Sequence, residues 1–198
     1  MGKYTMIADT SEQLVSLLQS KLVPNVISNA NEIGLRSPED HGDVVLGLYL
    51  YNIEPSQEMA LPGKAMVRRE KLTKPPVFLT LHYMITAYSQ GDLQYRLSQD
   101  ERILGKVIQV FHDRNMIPVH EVDEESMIDI DLHVTMERIT VDEKSRIWNF
   151  PQVGNRLSLF YKVTPVSIDS DLTSEFTRVT DLDISLTLNK QVKKPGKH

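Results

Sequence analysis

Pro75-Pro76 stands directly before the run Val77–Ser89, VFLTLHYMITAYS, and this junction constrains the fold more than any other stretch of the chain. The spacing of apolar residues in the run suits either a helix or a strand. Proline lacks an N–H and holds the residue before it extended, which argues against helical continuation. The run is also rich in aromatic and β-branched residues, so a strand is expected. Asp43–Ile53, DVVLGLYLYNI, reads as a second buried strand for the same reason. A long sheet with apolar strands needs helices to cover it.

Three segments supply those helices. Thr10-Ser-Glu-Gln13 reads as a capping box opening a first helix, with Leu14, Leu17, Leu18 and Leu22 at helical spacing and Pro24 as its stop. Ser98-Gln-Asp-Glu101 reads as a second box, followed by a stripe of Ile103, Leu104, Val107, Ile108 and Phe111. Thr140-Val-Asp-Glu143 reads as a third, opening a short helix that ends near Trp148, the single tryptophan. Trp148 and Phe150 are expected to plug the core where that helix meets the sheet, since large rings bury on the order of 150–250 Å² each.

Further strands follow from alternation. In Ser126–Ile139, Ile128, Ile130, Leu132, Val134 and Met136 share one parity, and Asp129, Asp131, His133 and Thr135 the other. Leu157–Ile168 is another strand, and Pro165 within it predicts a sheet edge or a bend. Short extended pieces are expected at Ile33–Arg36 and at about Phe176–Leu188. The expected fold is therefore α+β: one mixed, mostly antiparallel sheet of five or six strands with three helices. Residues 1–190 are read as a single domain and 191–198 as a disordered basic tail.

Chemistry is sparse. Without cysteine, thiolate zinc sites, disulfides and a cysteine nucleophile are excluded, which fits a reducing compartment. A formal charge of -5 argues against bulk attraction to nucleic acid or anionic lipid. No apolar run approaches the roughly 20 residues of a membrane span. The opening MGKYTMIADT has neither the hydrophobic stretch of a signal peptide nor the Ser or Thr of a myristoylation site, Met6 standing there instead. Cytoplasmic assembly is the expectation.

Asp129, Asp131 and His133, at every second position of one strand, have the donor types for a divalent metal, but the solvated face of any strand carries such residues. The acidic stretch Glu121–Ser126 lacks the spacing of a calcium loop and reads as a turn. His41, His82, His112, His120 and His198 are scattered singly, and no glycine-rich phosphate loop or nucleophile elbow occurs. No catalytic residue or cofactor is assigned. Glu54–Lys74 joins two strands through a basic segment bearing Lys64, Arg68, Arg69, Lys71 and Lys74. A connection of about 20 residues is either functional or disordered. Aromatics interleaved with the basic residues are lacking, so a solvated loop or a protein-docking loop is preferred to a nucleic-acid site.

Four ordered runs resemble one known family: LYLYNI at Leu48–Ile53, KPPVFLTLHYMITAYS at Lys74–Ser89, DERILGKVIQVFHD at Asp100–Asp113 and IWNFPQVGNRLSLFYKVTPVSIDS at Ile147–Ser170. Together they are similar to the tail-terminator, or cap, proteins of contractile injection systems, the phage-tail-like particles. The resemblance implies a non-enzymatic ring, expected to be a homohexamer, at the end of the particle away from the baseplate. Its implied partners are the sheath and inner-tube proteins, with no nucleic acid and no membrane insertion; release or membrane docking of the particle is left open. Arg68, Arg69 and Lys71 are candidates for contact with an acidic partner surface. Pro165, Val179 and Ile184 are candidates for a sheet edge offered to an extended sheath arm. The alternatives are a metal-dependent enzyme using Asp129, Asp131 and His133, and a generic protein-binding adaptor.

Overall fold

The computed structural model of the chain describes residues 4–56, 66–68, 71–73, 75–117, 131–151, 153–170 and 173–175. Its framework is a six-stranded sheet built from β1 (Ile33–Leu35), β2 (Leu46–Pro55), β5 (Val77–Ala87), β6 (Met116–Ile117), β7 (Leu132–Met136) and β8 (Ser158–Ile168). The strands lie in the order β1-β2-β5-β8-β7-β6, parallel between β1 and β2 and antiparallel at every other pairing. A second, three-stranded sheet joins β3 (Met66–Arg68), β4 (Lys71–Thr73) and β9 (Thr173–Glu175). The α+β expectation holds, with β5 as a strand behind Pro75-Pro76.

One face of the large sheet is covered by α1 (Met6–Leu22) and α2 (Leu93–Asp113). Leu14, Leu18 and Leu22 of α1 meet Leu81, Tyr83 and Ile85 of β5 and Tyr161 and Val163 of β8 in one continuous core. Each fully buried leucine there is worth about 1.5–3 kcal/mol. On α2 the stripe is Ile103, Leu104, Val107, Val110 and Phe111; Ile108 turns out to flank it, 40% exposed. The opposite face carries α3 (Val141–Ile147) and an aromatic cluster of Trp148, Phe160 and Met84, with Tyr49, Tyr51 and Phe150 packed against it. Trp148 is buried and meets Phe150 edge to face at 6.0 Å, as expected of a core plug.

Two helix starts differ from the sequence reading. Helix α1 begins a turn early, so Thr10 lies inside it, buried, its hydroxyl donating to the Met6 carbonyl at 2.6 Å. Helix α2 begins at Leu93, where Asp92 Oδ1 accepts from the Tyr95 N–H at 2.9 Å. Gly91, at φ +112°, makes the turn that a side-chain-bearing residue would resist. Ser98 is thus mid-helix, and Asp100 instead accepts from the Ser89 N–H at 2.9 Å, tying the end of β5 to the helix. The third box is as read: Thr140 and Glu143 cap α3 reciprocally.

Pro165 requires a correction. Strand β8 is interior, paired with β5 on one side and β7 on the other, so it is no sheet edge. Between Leu79↔Val166 and Leu81↔Val163 the register shifts, leaving Thr164 and Pro165 opposite Thr80 alone. This is a β-bulge, where a missing proline N–H costs no ladder hydrogen bond. The bend expected at Pro165 is present; the edge is not. The connection from Glu54 to Lys74 also differs from a loop, since its basic part supplies β3 and β4. The expected strand at Phe176–Leu188, with Val179 and Ile184, and the tail 191–198 lie outside the described residues.

Candidate functional site

The sheet presents two unequal sides to a partner. Strand β1 pairs with β2 only over Leu46–Leu48, extended by the Arg36 N–H donating to the Leu48 carbonyl at 3.0 Å. From Tyr49 to Pro55, no strand among the described residues lies against the outer side of β2. The first part of β2 is buried, whereas Asn52–Pro55 is exposed. A shallow groove of about 460 Å³ adjoins this edge, its apolar walls including Tyr4, Ile7 and Ala8 from the start of α1 and Leu35, Leu48 and Leu50 from the sheet. An unpaired edge beside an apolar groove is a site for strand addition. Sequence reading missed it because the length of β1 decides it, and pairing length is a non-local property.

The basic hairpin is the second feature. Arg68 ends β3 and Lys71 begins β4, and the two are in register with one another. Lys71 is also in register with Glu175 of β9. Arg68 and Lys71 therefore stand at one end of the β3–β4 pairing, joined in register to the strand that follows β8. Arg69 lies outside the described residues.

A polar cluster interrupts the aromatic face. His82 of β5 is 7% exposed, with Nδ1 2.9 Å from Glu137 Oε2 and Nε2 3.1 Å from Glu54 Oε1. The Glu137 contact is a hydrogen bond; the Glu54 contact has only the distance of an ion pair, because its geometry is poorly directed. Tyr51 donates its hydroxyl to Glu137 Oε2 at 3.2 Å. Burial, followed by the charge of Glu137, raises the Tyr51 pKa above that of an ordinary tyrosine, so it stays a donor. Nearby, Thr80 donates to Thr164 at 3.2 Å, and Ser56 meets the same hydroxyl at 3.4 Å. The two carboxylates grip opposite edges of one imidazole and do not converge on a shared point. This arrangement anchors β2, β5 and the segment after β7 to one another.

The metal candidates do not assemble. His133 is exposed on β7 opposite Thr164, Asp131 precedes the strand, and Asp129 lies outside the described residues. Among the described residues, no three His, Cys, Asp or Glu side chains are grouped to hold a metal ion. No helix among them is long and apolar enough to cross a membrane.

Comparison with known proteins bears on the fold and the family. One solved structure, the sheath/tube terminator of the extracellular contractile injection system PVC in its extended state, is similar to 98% of this chain at 17% identity and TM-score 0.63, over 67% of its own length. A second, the tube-terminating cap of the anti-feeding prophage, is similar to 90% of this chain at 18% identity and TM-score 0.64, over 61% of its own length. The chain thus spans roughly two thirds of the length of these structures, and the likeness is one of fold. No curated protein sequence matches it. A sequence model described as the Pvc16 N-terminal domain matches residues 9–181. This match covers most of the chain, and the protein belongs to the Pvc16 N-terminal domain family.

Proposed function

We propose that this protein is a structural cap of a contractile phage-tail-like injection particle, terminating inner tube and sheath at the end distal to the baseplate. The observation that carries the reading is the family match over residues 9–181, joined to the shared fold with two proteins described as terminators. The surfaces of the chain suit the role. A polymer is ended by a subunit that offers one adhesive side and one that cannot propagate, and a head-to-tail contact that closes by rotation gives a ring. The ring is a homohexamer in this proposal, assembled in the cytoplasm and acting without catalysis. Sheath and tube proteins are its partners.

The basic turn holding Arg68, Arg69 and Lys71 is proposed to face an acidic tube or sheath surface. Changing Arg68→Glu and Arg69→Glu together should leave particles uncapped or overlong in electron micrographs at physiological salt, where rim charges still act on association. Normal capped particles would remove this turn from the interface. Val179→Pro with Ile184→Pro should abolish sheath capture while the subunit stays folded by circular dichroism. The role itself is tested by mixing the purified protein with sheath and tube proteins. A chelator-insensitive ring that decorates one end of the polymer is the expected result. A persistent monomer that ignores both proteins, or a chelator-sensitive activity, would instead favour the adaptor or the metal enzyme.

A further inference from the structure

His82 meets a carboxylate at each ring nitrogen, and a neutral imidazole, with one N–H, cannot donate to both. We propose that His82 is a pH-sensitive latch on the free end of β2: doubly protonated it holds Glu54, and with Nε2 bare it releases Asn52–Pro55 to local opening.

Geometry decides which nitrogen keeps its proton. Nδ1 faces both oxygens of Glu137, at 3.1 and 2.9 Å. A carboxylate only accepts, so Nδ1 carries an N–H in either charge state. Nε2 is buried, makes no directed hydrogen bond among the described residues, and lies 3.1 Å from Glu54 Oε1. Bare, it sets a lone pair against a carboxylate oxygen; protonated, it offers Glu54 a charge-assisted bond. Glu137 is 17% exposed and also takes the Tyr51 hydroxyl, whereas Glu54 is 55% exposed, so Glu54 is the partner free to turn to water.

The strand end is built to respond. Among the described residues, Asn52–Pro55 has β5 on one side and no strand on the other, so it can open without the rest of the sheet. Between Leu50 and Asn52 the register shifts, and Tyr51 is left unpaired. Such a bulge re-aims a side chain. Here the Tyr51 ring stands 5.9 Å from that of His82.

Charges of both signs face the imidazole. Glu54 comes from β2 and Glu137 from the segment after β7. Lys162 of β8 is directly opposite His82 in the ladder, hence on the same face of the sheet. Helix α3 adds Glu143, whose charge acts on Tyr51, and Lys144, over the Phe160 ring. The carboxylates attract the second proton and the Lys162 ammonium opposes it. Tyr51 adds no charge, its pKa being raised by burial first and then by Glu137. Histidines change charge between about pH 5 and 8, where glutamates as a class are already ionised. The latch is therefore closed at the acid end of that window and opens as pH rises.

Hydrogen exchange on the full-length protein tests this, with each rate corrected for the intrinsic effect of pH. Protection of the peptide Tyr51–Glu54 should fall about threefold from about pH 5.5 to about pH 8, the scale of a partly exposed ion pair. A peptide within α1 should not change. Glu54→Gln keeps the shape without the charge and should abolish the fall. Equal protection at both pH values would overturn the proposal, as would a fall that survives Glu54→Gln. A parallel fall in α1 would mean global loosening and would refute the latch as well. In nitrogen-detected spectra the His82 ring should carry two protons at the acid end and only the Nδ1 proton at the other. One unchanging ring state, or a bare Nδ1, would contradict it. Neither readout depends on whether the protein caps a particle.

Discussion

The two faces of the large sheet solve the same burial problem by different means. Beneath α1 and α2 the contacts are apolar and continuous, with one hydroxyl pair let in: Ser11 and Tyr83 meet at 2.8 Å across the helix–sheet boundary. Burial pushes the Tyr83 pKa up to about 12, against a smaller opposing effect of Ser11, so the pair remains neutral. On the other face a short helix is the only one among the described residues, and the gap is filled by rings and by the His82 cluster. A face covered by long helices can be built from aliphatic side chains that tolerate one another. A face covered by a seven-residue helix depends on a few large or polar groups in fixed places. The second face should therefore concentrate its stability in fewer residues.

The largest expected effect tests that concentration. Trp148→Ala should cost about 3–5 kcal/mol in urea unfolding, as large aromatic deletions in cores do. Loss of under 1 kcal/mol would show that the aromatic cluster is a cover and not a plug. Leu18→Ala, on the helix side, should cost about 2–5 kcal/mol, at the low end if neighbouring leucines relax into the space. A clear excess for Trp148 over Leu18 would sharpen the comparison, and the reverse order would break it.

The polar cluster comes next. His82→Leu removes the ring between Glu54 and Glu137 and should cost about 1–3 kcal/mol, the range for a buried partner left unsatisfied. The loss stays moderate because Glu137 keeps the Tyr51 hydroxyl and Glu54 is 55% exposed to water. A double-mutant cycle with Glu137→Gln should return a coupling of about 0.5–3 kcal/mol. Additive effects would mean that the two groups merely lie close.

What the sequence made legible follows the same division. Strand β5 and helix α3 were readable because their signals are local: a proline pair before aromatic and β-branched residues, and a Thr-x-x-Glu box at a true helix start. The identical box pattern misled at Thr10 and Ser98, because Ser or Thr followed by Gln or Glu also occurs inside amphipathic helices. There the real starts depend on what lies upstream, Gly91-Asp92 in one case. Pro165 could be read as a disturbance, but edge and bulge look alike until the partners of β8 are known. The His82 cluster was invisible for a related reason. Glu54, His82 and Glu137 are distant in sequence and meet only through strand register. The open edge of β2 was likewise illegible, because the length of the β1–β2 pairing decides it.

The smallest effect belongs to the cap of α3, which sets how firmly the second face is covered. Thr140→Ala should cost about 1 kcal/mol, the usual loss for an N-cap hydroxyl. The accompanying electrostatic sign is fixed by Glu143. Its carboxylate accepts from the Thr140 N–H and hydroxyl, both at 2.8 Å, and the backbone bond first and the hydroxyl bond second hold its pKa below the ordinary glutamate value. A carboxylate with a lowered pKa stabilises the fold fully above the ordinary value of about 4.3, and that contribution fades as pH falls through the lowered one. Carbon-detected titration of Glu143 should therefore show a midpoint below 4.3, moving upward in Thr140→Ala without reaching it, because the backbone N–H still donates. An ordinary midpoint in both proteins would mean that the box is frayed in solution. Helix α3 would then be a loose cover, and Trp148 would have to hold the second face by packing alone.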